Sequence, residues 1–508
     1  MIRGVVLDPI KQLFEIQEEQ KEATVITFIP LGGAEKIGAS AYLFVTEDQK
    51  GRHGLLVDVG VSGRFGKEGD EGDDFDREVP MERTSFGELS LPKLPRSSLA
   101  RFQGKTAQEV ILESAGAFIP NVGYLHSLGL KDLCVIVTHS HADHAGAIPM
   151  ISKLFPDARI FMTPITRDVS LWSWEQYLGF AKAEKLPVLY SRGDIEATKS
   201  RITTVFEYEQ IDLGLFSISF FPAGHVPGAV SLKLSIRDGK TVSVFVSSDI
   251  CFHDQNILRG APLLGNAEIG MIDYVLAEGT YGAKNASTYD EAARSLVSVV
   301  LQHLRIGGKV IIPAFQIGRS QEVFAILKRH GIVDQYPVWI DGAARNVAEI
   351  YINHGVIDPS VREHFIVDDR HREVIVHSDA PCVVVAPHGM LLGGRSSYFV
   401  QAWGGQRNTL VALVSFQEPQ TPGARLAQKG RSSMKLTVGT KVVDVSARVV
   451  QLPISAHAPG LDIVQMVERL NPAERVFLVH GGKSDLAILK DRVGHKAVVA
   501  RMGTPYVL

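Results

Sequence analysis

Cysteine is scarce: 508 residues carry three, Cys134, Cys251 and Cys382. Three thiols cannot build a disulfide framework. Cys134 and Cys382 lie in apolar, strand-like runs, so they read as buried thiols of a reducing compartment. Long hydrophobic runs are missing too: no stretch approaches the roughly 18 uncharged apolar residues of a membrane span. The opening Met1-Ile2-Arg3-Gly4 meets Asp8, Lys11 and Glu15 before any apolar run, unlike a secretory leader. A cytoplasmic protein with no membrane partner is therefore expected. Excess charge of one sign is also lacking, since 53 Lys and Arg face 56 Asp and Glu for a net charge of −3. With 45% hydrophobic and 21% charged residues, the chain is neither a disordered tail nor a collagen-like repeat. Bulk charge also argues against a strongly basic nucleic-acid binder. No fixed-period repeat is present, and the length allows about two to four domains.

What the chain does have is a change of rhythm. Residues 24–30, 41–45, 55–57, 133–137, 216–221, 242–246 and 272–277 read as short strands. Several end on a polar residue, the end at which α/β folds place their sites. Residues 62–105 interrupt this pattern with an acidic run and a Pro/Ser/Arg-rich tract, read as a solvated loop, with a lid or an oligomer contact as the alternative. Thr106 and Glu109 have the spacing of a capping box before a helix. After Gly282 helix and strand alternate. Thr288 and Glu291 make a second capping box, an apolar face runs through Ala292, Leu296, Val299, Val300 and Leu304, and Gly307-Gly308 stops that helix. Strand 309–314, helix 319–330 and strands 337–340, 382–387 and 409–415 complete a parallel-sheet unit. One domain interrupted by another is expected: residues 1–281 and 450–508 form the first, 282–449 the second.

The strongest chemical signal is Thr138-His139-Ser140-His141-Ala142-Asp143-His144. At a strand exit, residues i and i+2 project to one side, so His139 and His141 can share a metal. Asp143 and His144, in the turn that follows, face a neighbouring position. So many imidazoles and carboxylates in so short a stretch suit a metal better than a solvated surface, and the nitrogen and oxygen donors suit Zn²⁺, with Mn²⁺ or Fe²⁺ as alternatives. His225 in a glycine-flanked strand end, Asp249 closing an apolar strand and His480 in Val479-His480-Gly481 complete a set of seven donors for two ions. Asp249 can bridge through both oxygens, and Asp58 is placed to orient a ligand.

These ordered motifs resemble the metallo-β-lactamase fold. Other stretches resemble its β-CASP branch of nucleic-acid-processing nucleases: residues 31–38, Glu278-Gly279-Thr280-Tyr281-Gly282, residues 312–319, residues 389–394, Ser455-Ala456-His457 and Val479-His480-Gly481. The resemblance runs in the family's order over about residues 24–485. It implies an αββα metallo-β-lactamase sandwich carrying an inserted α/β β-CASP cap, two Zn²⁺ per chain and RNA as substrate. It also implies that Glu278 is the family's acidic cap-associated residue and that His457 and His480 are its second- and third-motif histidines. A histidine at the third position goes with RNA-processing members, whereas Artemis-like DNA-repair members carry valine. Residues 223–228 look more like the cleavage-and-polyadenylation endonucleases than like ribonuclease J. Three places depart from the family pattern: the 62–105 insertion, Pro387-His388, and Gly423-Ala424-Arg425.

The expected reaction is hydrolysis of RNA by a hydroxide shared between two zinc ions, leaving 5′-phosphate and 3′-hydroxyl ends. Endonuclease action is favoured, with 5′-to-3′ exonuclease action as the alternative. Asp143, Asp58, His457 and Glu278 are the catalytic candidates, with His457 protonating the departing oxygen. Single-stranded RNA would be held by Arg319, His388, Gly393, Gly394, Arg395, Ser396, Arg425 and Ser455. Arg425, Lys429, Arg431 and Lys435 form a strip free of acidic residues. A homodimer or an RNA-processing complex would be the setting. A DNA nuclease, a glyoxalase-type thioesterase and an inactive scaffold subunit are the competing readings. The net charge hides an asymmetry: residues 68–78 hold seven acidic side chains and one arginine, so the remainder is +3.

Overall fold

The computed structural model describes residues 25–63, 117–120, 122–184, 188–282, 288–419, 421–428, 433–438, 441–452 and 454–508. Most of the 62–105 insertion, the Thr106/Glu109 pair, Lys429 and Arg431 lie outside these residues.

Two seven-stranded sheets stack face to face. The first runs Tyr506–Val507, Thr27–Gly32, Ala41–Asp48, Gly51–Val57, Leu130–Ile136, Arg159–Met162, Ile202–Thr204 in spatial order. The second runs Ala497–Val499, Arg475–Val479, Tyr274–Glu278, Lys240–Val246, Val230–Asp238, Phe216–Pro222, Gln210–Asp212. Alternating apolar residues of the two inner faces, among them Phe28, Phe44, Leu55, Phe220, Leu232, Val244 and Phe477, form one shared core. On the outer face of the first sheet, Leu43, Leu56, Val135 and Ile160 pack on helices Ile148–Leu154, Pro164–Glu184 and Arg192–Lys199. On the outer face of the second, Val275, Val476 and Leu478 pack on Gly460–Leu470 and Lys483–Val493. The layering is αββα, as the sequence motifs imply.

The cap is a five-stranded parallel sheet, Val338–Ile340, Cys382–Ala386, Lys309–Pro313, Thr409–Leu413, Arg448–Gln451 in spatial order. Its strands are continuous Val/Ile/Leu runs because both faces are covered. Helices Tyr289–Arg305, Arg319–Arg329 and Ala343–Asn353 cover one face. Asp369–His377, Gly394–Trp403 and a Met434–Val438/Lys441–Val445 hairpin cover the other. The Thr288/Glu291 capping box forms on Tyr289–Arg305, and Gly307, at φ 74°, follows the helix end. Inside the cap, Arg372 bonds both oxygens of buried Asp341, at 2.6 and 2.8 Å.

The two bodies meet through an apolar cluster, Val169 on the metal-domain side with Ile317, Val347 and Tyr351 on the cap. His354 and Asp168 close one rim at 2.8 Å. All three cysteines are free and buried. Among the described residues no helix is long and apolar enough to cross a membrane.

Candidate metal centre and cleft

Asp58, His139–His144, His225, Asp249, Glu278 and His480 all stand at or just past the C-terminal ends of strands. The strands that carry them run in one direction, so the fold gathers the residues at one rim. The His139–His144 turn is held by three backbone hydrogen bonds: Val59 N–H to His144 O, Val61 N–H to Ala142 O and Ser40 N–H to Asp143 O, each 2.8 Å. Gly60 allows this approach, since a Cβ there would lie 1.8 Å from the Asp143 carbonyl oxygen. Asp58, Ser248 and His480 adopt left-handed backbone at φ 61°, 54° and 51°. Each such conformation costs of order 1–3 kcal/mol. Backbone hydrogen bonds hold two of them in place: Asp58 N–H bonds Ile136 O at 2.8 Å and His480 N–H bonds Gly33 O at 2.7 Å.

The donors form three overlapping groups, one of them Asp249, Glu278 and His480. His139, His141, His225 and Asp249 each offer a ligand atom within a 4.8 Å cluster, and so do Asp143, His144 and His480. Asp249 joins the groups: one oxygen lies 3.6 Å from His139 Nε2 and 3.7 Å from His225 Nε2, the other 3.3 Å from His144 Nε2 and 3.2 Å from His480 Nδ1. His480 Nε2 lies 3.3 Å from Asp143 Oδ2.

Partners on the far side of the rings set which nitrogen faces inward. His144 Nδ1 lies 2.8 Å from Asp58 Oδ2 and His225 Nδ1 2.8 Å from the Ala456 carbonyl. His141 Nε2 is 3.4 Å from the carbonyl of Ile317, a cap residue. Asp58 is itself fixed by Thr138, through its N–H at 2.7 Å and its hydroxyl at 2.8 Å. Burial, with neighbouring imidazoles, holds His139 and His225 well below the usual histidine range, which keeps them neutral and able to ligate. Burial also opposes ionisation of Asp249, but His144, His480 and His457 outweigh it and hold the carboxyl well below its ordinary range.

Two buried atoms, His139 Nε2 and Asp249 Oδ1, have no hydrogen-bond partner. Unpaired buried polar atoms are costly, and here they point into a nest of nitrogen and carboxylate donors. The residues fit a metal. This His/Asp cluster supports metal binding by the chain.

His457 stands beside the cluster, its ring 4.5 Å from that of His225. Its Nδ1 lies 3.0 and 3.1 Å from the two oxygens of Glu278. Glu278 is fixed in turn by the Ile250 N–H at 2.7 Å. Burial pushes the His457 ring down, but Glu278 and Asp249 more than reverse this and raise it to about 9.

The remaining expected substrate residues lie on or next to the cap. Ser455 Oγ accepts the His457 N–H at 2.9 Å. Gly393 and Gly394 lead into helix Gly394–Trp403, and a Cβ on Gly394 would strike the His388 ring at 2.2 Å. The buried Ser396 hydroxyl donates to the His388 carbonyl at 2.8 Å, so it shapes this turn rather than facing the cleft. Arg395 is half-exposed with Nη2 3.5 Å from Asp369 Oδ1. Arg425 is exposed on Pro422–Ala427. Arg319 is buried, and its Nη1 has no hydrogen-bond partner. Sequence reasoning did not single out Thr138, Thr280, Gln255 or the Ile317 carbonyl. Thr280 Oγ lies 3.1 Å from His480 Nδ1, and Gln255 donates to the Gly224 and His225 carbonyls at 2.8 and 3.2 Å.

Three family models match the chain: "Metallo-beta-lactamase superfamily" over residues 114–245, "Beta-Casp domain" over 320–426, and "Zn-dependent metallo-hydrolase RNA specificity domain" over 442–500. The chain carries a metallo-β-lactamase domain and a β-CASP domain. This β-CASP protein is 29% identical over 408 residues to the transcription termination factor FttA of Methanosarcina mazei and 30% identical over 394 residues to that of Pyrococcus abyssi. Those matches take in 75% and 71% of this chain, and the chain spans 62% and 59% of the length of those two relatives. It is 26% identical over 382 residues to RNase aCSPSF2 of Saccharolobus solfataricus, covering 72% of this chain and 73% of that one. A crystal structure of a protein of unknown function from Enterococcus faecalis V583 shares the fold at a TM-score of 0.52 and 12% identity, over 95% of this chain and all of the other.

Proposed function

We propose that this β-CASP protein is a metal-dependent ribonuclease that hydrolyses single-stranded RNA with two Zn²⁺ per chain (Mn²⁺ the alternative), leaving 5′-phosphate and 3′-hydroxyl ends, with endonuclease action favoured over 5′-to-3′ exonuclease action. The observation that carries this reading is Asp249, whose two oxygens each face a separate set of histidines. His139, His141 and His225 would hold one ion and Asp143, His144 and His480 the other, with Asp249 between them. Such ions acidify water and neutralise charge on a phosphoryl group. The names of the relatives and the RNA-specificity description over residues 442–500 support RNA as the substrate.

The chain's own groups do the rest. Asp58 holds the His144 ring, and the Ala456 carbonyl holds the His225 ring. His457, kept protonated by Glu278, hands its proton to the departing 3′ oxygen and regains one from water. Its Nδ1 is engaged by Glu278, so the exchange falls to Nε2. Arg395 and Arg425 contact phosphates along the cap, and Arg319 offers its unpaired Nη1 at the domain junction.

Circular RNA and linear RNAs with 5′-monophosphate or 5′-triphosphate ends test the proposal, with metal counted on the same preparation. Cleaved circles with 5′-phosphate ends and about two zinc ions per chain are expected. Intact circles with mononucleotides released only from the 5′-monophosphate substrate would overturn the endonuclease part. Absence of RNA cleavage would overturn the whole.

A further inference from the structure

The cap does not merely roof the cluster; it touches two of its ligands by separate routes. The first is the Ile317 carbonyl, 3.4 Å from His141 Nε2. Ile317 lies in a loop tied rigidly to the start of helix Arg319–Arg329. Ser320 donates to the Phe315 carbonyl through both N–H and hydroxyl, at 3.0 and 2.8 Å, and Gln321 donates to the Gln316 carbonyl at 3.0 Å. The second route passes through the metal-domain loop at 255–257. Gln255 bonds the backbone carbonyl of His225 at 3.2 Å and that of Gly224 at 2.8 Å.

The second route ends on Glu322, a fully buried carboxylate in the first turn of the same helix that the Ile317 loop is tied to. It accepts the Asn256 N–H at 2.9 Å, the Asn256 side-chain amide at 2.7 Å and the Ile257 N–H at 3.1 Å, together with the Tyr289 hydroxyl. Arg329 donates to the other end of the Asn256 amide at 3.1 Å. A buried carboxylate is costly without hydrogen-bond donors, and here they come from the metal domain as well as the cap. Ile257 and Ile317 also share the apolar cluster between the two bodies.

We propose that Glu322 is a positioning residue that couples the seating of the cap to one half of the metal centre. It sets the Ile317 carbonyl against His141 and steadies His225 through the Asn256-Gln255 corner. The coupling is one-sided. His141 and His225 belong to the group with His139, whereas Asp143, His144 and His480 take their support from Asp58, Thr280 and backbone of the metal domain. Loss of the clamp therefore weakens retention at one position and spares the other. This inference rests on the two-metal reading.

The test is metal release from the full chain loaded with zinc and challenged with a chromophoric chelator. Wild type should give two equivalents at high chelator. In Glu322→Ala one equivalent should leave at about tenfold lower chelator, the usual scale for losing support behind a ligand, while the second keeps its wild-type midpoint. Glu322→Gln, which retains a carbonyl acceptor, should fall between the two, and it carries the test if the alanine variant does not fold. Asp168→Ala, which removes the His354 contact at the opposite rim of the same interface, should leave both midpoints unchanged. Equal shifts of both equivalents, or none in either Glu322 variant, would overturn the coupling. A wild-type chain that retains no pair of metals would overturn the two-metal reading instead.

Discussion

His457 Nδ1 lies 3.0 Å from Glu278 Oε2, yet the two differ in access to water: Glu278 is buried, whereas a fifth of the His457 side chain is exposed. The carboxylate is thus fixed and the imidazole is open, the arrangement that proton transfer to a bound substrate requires. His457→Ala should keep wild-type metal content and lose RNA turnover by about 100- to 10,000-fold, the range for removing a general acid. Single-turnover rates with metal counts on the same sample check this. Loss of metal, or an unchanged rate, would remove His457 from the role.

Asp58→Asn probes the support behind His144. The carboxylate accepts from Thr138 and faces His144 Nδ1 at 2.8 Å, and an amide at that position cannot serve all three contacts as an acceptor. Zinc affinity should fall by about 10- to 100-fold with little change in melting temperature of the metal-free chain. Competition with a chelator measures the first and a thermal melt the second.

Gly60→Ala should damage both stability and metal retention. The added methyl would lie 1.8 Å from the Asp143 carbonyl oxygen and 2.6 Å from the His144 nitrogen, which is backbone and cannot rotate away. Overpacking of this kind costs about 1–3 kcal/mol, occasionally more. Denaturant unfolding of the metal-free chain gives the stability loss.

Arg372→Met should destabilise the cap by about 3–5 kcal/mol, because it strips buried Asp341 of both guanidinium bonds and leaves it the Gly342 N–H at 2.7 Å. Replacing Asp341 with leucine in the same chain should recover much of the loss. A double variant no more stable than the single one would show that packing, not charge, holds this corner.

His53 supplies a pH dependence away from the metal centre. Burial opposes protonation of its ring, but Asp48 and Asp132, each 2.9 Å away, outweigh it and raise the folded-state value above the ordinary one. A raised histidine stabilises fully below its unfolded value of about 6.5, and the stabilisation disappears as pH climbs through the folded value. The loss of melting temperature in His53→Ala should therefore be larger near pH 5.5 than near pH 9.

The clustering of these His and Asp residues was legible because they lie in short strings at strand ends. The i, i+2 spacing puts His139 beside His141, and the following turn carries Asp143 and His144 to the other side of Asp249. The cap's strands and capping box were legible for the same local reason. What could not be read were contacts made by backbone carbonyls and by residues that change meaning on docking. Ile317 contributes only a carbonyl to His141, which leaves no trace in residue type. Glu322 reads as an ordinary acidic residue in a first helical turn, and only the docked metal domain makes it a buried clamp. Ser396, expected at phosphate, is drawn into bonds with the His388 backbone that pattern alone does not reveal.

Strands Tyr274–Glu278 and Arg475–Val479 are neighbours in the second sheet, yet the whole cap lies between them in the chain. A ribosome must therefore synthesise the cap before that sheet can gain its next strand. His139, His141, His225 and Asp249 all precede the cap in the chain, whereas His480, the partner of Asp143, follows it. The His/Asp cluster is therefore complete in the chain only once translation has passed the cap.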